Sequence, residues 1–221
     1  MKKTKISIII NIIITILVTI GTVFMLIDFQ FMGREAALTA TRIETFKFFT
    51  VDSNILMGIV SFIYTVFALK LEKKEIKEIP SFVYLLKLAS TTGVVLTFLV
   101  TGLFLAPTSK IPFFAFYKNS NLFFHLLVPI LSFITFCFLE KSKKLSFKQT
   151  IIGVIPMIAY SIIYTTSVLT HIENGIVSNK YDFYGFLRGG LNTIIFVISL
   201  MFIITYGISI ILWYLNREKT V

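Results

Sequence analysis

A chain of 221 residues that is 56% hydrophobic and only 14% charged, with a mean hydropathy of +0.88, cannot hide its apolar side chains in a soluble core of that size. Soluble domains carry about 25% charged residues. The net charge of +10 does not indicate a nucleic-acid partner, because the lysines fall in short clusters between apolar blocks, the pattern of membrane topology. The one cysteine, Cys137, excludes an internal disulfide.

The apolar blocks run to about 20 residues, the length a helix needs to cross a bilayer. Six spans are predicted, near 6–28, 48–69, 82–106, 122–139, 150–170 and 191–214, forming one transmembrane domain over 1–221. Lipid offers the backbone no hydrogen-bond partner, so each span is a helix and the fold class is all-α. The first span, in MKKTKISIIINIIITILVTI, is too long for a signal-peptide core and no small-x-small cleavage site follows it closely, so it is read as a retained helix. It places Ser7, Asn11, Thr15, Thr19 and Thr22 on one stripe, the small polar surface that holds helices together in lipid.

Charge sets the orientation. With the N-terminus inside, segments 1–5, 70–81, 140–149 and 215–221 hold thirteen Lys and Arg residues, against seven in 29–47, 107–121 and 171–190. The asymmetry puts both termini in the cytoplasm. The remaining cation, Lys87, lies near the inner end of the third span and is expected to snorkel to the interface. The richness in Ile, Lys, Asn and Phe is bacterial in character, so the expected location is a bacterial plasma membrane. No feature of the sequence sets an oligomeric state.

The second span opens in ETFKFFTVDSNILMG. On a helix Thr50, Ser53 and Asn54 share a face and Asp52 points nearly the opposite way. N-capping accounts for one or two such residues at a helix start but not for Asn54, which lies past the first turn. The fourth span, NSNLFFHLLVPILSFITFCFLE, carries His125, an ionisable group in an apolar block and so a functional candidate. Pro129 lacks the N–H that would bond the His125 carbonyl, which predicts a kink and a free backbone acceptor there. At about 1.5 Å per residue, Thr50 and His125 lie at one level, near the outer face. Tyr160, Tyr164, Ser167 and His171 share a face of the fifth span that lines the same pocket or serves as packing. Asn121, one turn before His125, and Asp182, beside Tyr181 in the last outer loop, are candidates to orient the histidine. Ser53, Asn54 or free N–H groups of the second span would serve an oxyanion.

Together FKFFTVDSN with Thr50, NLFFHLLVP with His125, and NKYDFYGFLRGG before the last span resemble the androgen-induced and androgen-dependent TFPI-regulating family of membrane proteins and their bacterial relatives. The six-span layout extends the resemblance over nearly the whole chain. It implies an intramembrane threonine hydrolase that cleaves lipid-like esters, with Thr50 as nucleophile, His125 as its base, and no cofactor. A threonine hydroxyl needs such a base to become nucleophilic. Other readings stay open: a small-molecule transporter or the substrate-binding subunit of one, a haem protein with His125 and His171 as axial ligands, and, with less support, a zinc site of His125, His171 and Asp182.

Overall fold

The computed structural model describes residues 2–33, 41–141, 145–173, 177–178 and 180–217. Arg34, Lys143, Lys144 and Lys219, which enter the charge count above, lie outside them. Among the described residues six helices are long and apolar enough to cross a membrane: α1 (Lys3–Leu26), α2 (Phe49–Glu72), α3 (Ser81–Thr108), α4 (Ser120–Leu139), α5 (Phe147–Thr170) and α6 (Leu191–Asn216). No β-strand forms among the described residues. The chain is a multi-pass membrane protein in which the even number of helices brings both termini to one end of the bundle. Helix α5 starts three residues earlier than the hydropathy predicts. Ser146 and Gln149 form a capping box there, which satisfies the free N–H groups of the first turn.

Helix α3 is the centre of the bundle. Residues 87–94, from Lys87 to Val94, are buried without a break. A helix enclosed on every side needs small residues, and Ala89, Ser90, Thr91, Thr92 and Gly93 supply them. Helix α6 is the least enclosed and turns Ile195, Phe196 and Ile203 outward, as a lipid-facing helix does. Between α1 and α2 the stripe contributes Thr15, while Thr19 is exposed and bonds the Thr15 carbonyl of its own helix. Thr15 donates to the Gly58 carbonyl at 3.3 Å, and a Cβ at Gly58 would lie 2.8 Å from Val18.

Lys87 does not snorkel. Its side chain is fully buried, and Nζ donates to Asn11 Oδ1 at 2.8 Å. Nζ also lies 3.3 Å from Glu140 Oε2, an ion pair rather than an aligned hydrogen bond. Ser7 Oγ and Asn11 Nδ2 both donate to Glu140 Oε1, at 2.9 and 2.6 Å, and the Tyr64 ring faces the ammonium at 5.4 Å. Asn216 donates to the carbonyls of Phe136 and Glu140 at 2.6 and 2.9 Å. One charge cluster near the end of the bundle that carries the termini therefore ties five of the six helices together.

Among the described residues three π turns interrupt the helices: Thr101–Leu105 in α3, and Phe123–Leu127 and Thr135–Leu139 in α4. The first two have the same cause. Each begins six residues before a proline, Pro107 or Pro129, whose missing N–H and bulky ring disfavour the i→i−4 ladder. Widening the turn lets the preceding residue bond five back, Ala106 N–H to Thr101 O and Val128 N–H to Phe123 O. Such bulges recur at functional sites.

Candidate functional site

A cavity of 270 Å³ opens between α2, α3, α5 and α6 at the end of the bundle away from the termini. Its walls are mostly apolar, with Thr50, Thr97, Thr101, Ser161, Tyr160 and Tyr164 as the hydroxyl-bearing residues of the helices. Tyr184 and Phe186 close it from the α5–α6 connection. That connection is held by Asp182, which is 4% exposed. Its carboxylate accepts the N–H groups of Phe186 and Leu187 at 2.9 and 3.0 Å and the hydroxyl of Tyr164. Gly185 turns the chain between them at φ 72°, a left-handed conformation that glycine adopts without strain. Tyr184 Oη accepts the Phe49 N–H at 3.2 Å, and Tyr160 donates to the Lys47 carbonyl at 2.5 Å. The loop is thereby anchored to the start of α2, beside Thr50.

His125 is 3% exposed and sits in the middle of the first π turn of α4. Its Nδ1 is 2.8 Å from the hydroxyl of Thr101, and the backbone of Thr97, one turn earlier on α3, provides a second contact. Thr101 stands between the imidazole and the cavity, which it borders. Thr50 borders the same cavity from α2, but no hydrogen bond joins it to His125 among the described residues. The group that fixes the histidine is thus Thr101, which sequence reasoning did not select. The available signal was Pro107, six residues beyond Thr101, echoing Pro129 six residues beyond Phe123.

The predicted supporting residues divide. Ser53 Oγ and Asn54 Nδ2 donate back to the Thr50 carbonyl at 3.1 and 2.8 Å, which fixes the backbone that carries Thr50. Asn54 also answers the question of its position beyond the first turn. The π turn moves the proline's gap from the carbonyl of His125 to that of Phe124, which in the five-residue register faces Pro129. Asn54 Nδ2 fills the gap across the helix interface at 3.1 Å. Asn54→Ala leaves a buried carbonyl without a donor and is expected to lower stability by about 1–3 kcal/mol. A thermal unfolding midpoint in detergent equal to the wild type would contradict this role.

Asp182 does not orient His125, since its oxygens are taken by the loop it caps and by Tyr164. Asn121 is buried on the first turn of α4. His171 lies at the C-terminal end of α5, exposed, with Nδ1 2.8 Å from the Ser167 carbonyl and its ring stacked on Tyr181 at 3.6 Å. Neither histidine lines the cavity, so the two do not frame one space as axial ligands of a haem would. Among the described residues no three His, Cys, Asp or Glu side chains gather as a metal site needs.

The fold and site define a class, a six-helix membrane protein with an apolar cavity and, behind its wall, a buried histidine in contact with a threonine that borders it. No family model, curated protein or solved structure matches the chain.

Proposed function

We propose that the chain is an integral-membrane hydrolase of lipid-like esters, working with a threonine nucleophile and His125 as its base. The observation that carries this reading is the 2.8 Å contact between His125 Nδ1 and a threonine hydroxyl at the edge of a membrane-embedded cavity. A buried histidine within hydrogen-bond reach of a hydroxyl is the arrangement that activates a poor nucleophile. The apolar walls suit an acyl chain, and at 270 Å³ the cavity lies just below the range of about 300–1,000 Å³ usual for ligand pockets, which favours a small lipid over a full phospholipid. The charge asymmetry supports both termini in the cytoplasm of a bacterial cell, with the cavity in the outer leaflet, where lipid substrates enter sideways. The resemblance to the androgen-induced family supplies Thr50 as nucleophile, and Thr50 borders the cavity.

The test is hydrolysis of 4-nitrophenyl decanoate by the full chain in lipid nanodiscs. His125→Ala is expected to reduce turnover at least about 100-fold, the low end of what a general base contributes. Turnover unchanged in His125→Ala would remove the hydrolase reading. Binding of the ester without turnover by the wild type would favour the substrate-binding subunit of a transporter instead.

A further inference from the structure

The hydroxyl in contact with His125 differs from the one the family resemblance selects. The geometry points to Thr101 as the nucleophile of the hydrolysis proposed above, on which this inference rests, with Thr50 as a second hydroxyl on the cavity wall. Three observations converge. Thr101 Oγ1 is 2.8 Å from His125 Nδ1, inside the range of about 2.6–3.2 Å expected of a nucleophile and its base. Thr101 is 1% exposed yet borders the cavity, so the cavity is its route to a reacting carbonyl. Thr101 also opens one π turn and His125 lies within another. Each turn is set by a proline six residues past its start, and Thr101, the first residue of one, meets His125, in the middle of the other, across the α3–α4 interface.

The reaction balances with these groups and water alone. With the imidazole proton on Nε2, Nδ1 takes the Thr101 proton as Oγ1 bonds to the ester carbonyl carbon. The tetrahedral centre collapses, the bond to the alcohol oxygen breaks, and Nδ1–H protonates the departing alkoxide. Water then attacks the acyl-threonine and gives its proton to Nδ1. The acid leaves, and Thr101 recovers its proton from the imidazole. Thr50, whose hydroxyl makes no hydrogen bond with a described residue, is placed to donate to the carbonyl oxygen as charge develops there, the role of an oxyanion donor.

The experiment is covalent labelling of the full chain in nanodiscs with a fluorophosphonate, followed by peptide mass spectrometry, alongside turnover of 4-nitrophenyl decanoate. The expected adduct is on Thr101. It is lost in His125→Ala and in Thr101→Val, and kept in Thr101→Ser. Thr50→Ala slows turnover about 10²–10³-fold, as loss of one oxyanion donor does, while the adduct stays on Thr101. An adduct on Thr50, or wild-type turnover by a folded Thr101→Val, overturns the assignment of Thr101 and leaves the hydrolase reading intact. Absence of both adduct and turnover in the folded wild type removes the two together.

Discussion

Lys87→Met is expected to destabilise the protein by about 3–5 kcal/mol, the loss seen when one partner of a buried ion pair is removed. The pair is unusual for its place: both side chains are fully buried within a bundle of lipid-spanning helices, where an uncompensated charge is expensive. Removing the ammonium leaves the Glu140 carboxylate with Ser7 and Asn11 as its donors among the described residues and leaves Asn11 Oδ1 without the Lys87 donor. Glu140→Gln is expected to cost less than Glu140→Leu, because the amide oxygen can still accept from Ser7 and Asn11. Lys87→Met combined with Glu140→Leu is expected to recover most of the loss, since an apolar pair of similar volume needs no counter-charge. Unfolding in mixed micelles, compared over the two singles and the double, measures the coupling. Additive losses, with no recovery in the double, would show that the two charges act independently and that their pairing does not tie the helices together.

Gly153→Leu is expected to be the second most damaging substitution. A Cβ at 153 would lie 2.7 Å from Ser209 Cβ and 2.9 Å from Thr92 Oγ1, with Ser209 Oγ closer still. Ser209 cannot swing aside freely, because Oγ donates to the Thr150 carbonyl at 2.7 Å. Helix α5 must therefore retreat from α3 and α6. Even Gly153→Ala is expected to cost about 1–3 kcal/mol, the usual range for overpacking, and Gly153→Leu more. The damage should reach the cavity, because Tyr160 and Tyr164 ride on the same helix two to three turns on. Adding Ser209→Gly to Gly153→Ala removes the nearest obstacle and should restore part of the loss. Thermal midpoints with and without the second change decide the point. A Gly153→Ala protein as stable as the wild type would mean that α5 has room the packing does not show.

Sequence periodicity and hydropathy found the helices because lipid leaves the backbone only one way to bond. Thr50, Ser53 and Asn54 were legible as a polar face for the same reason, since positions three and four apart must share a side of any helix. The partner of His125 was not legible. Pro107, six residues beyond Thr101, marks an irregular turn there but does not say which of Thr91, Thr92, Thr97 or Thr101 meets the histidine, and only the packing of α4 on α3 selects it. Lys87 misled in the same way. Its distance from a helix end fits snorkelling, whereas the partner that holds it inward comes from Glu140, fifty-three positions away in the chain.

The order of apolar and charged segments thus determined the class of this protein and the number of its helices, because burial in a bilayer is an average property of a segment. Tertiary structure alone decided which hydroxyl meets the histidine, which carbonyl the proline leaves open for Asn54, and where the buried cation finds its counter-charge. Those outcomes depend on distances of a few ångströms between helices remote in sequence, and a π turn that advances the register by one residue is enough to change them.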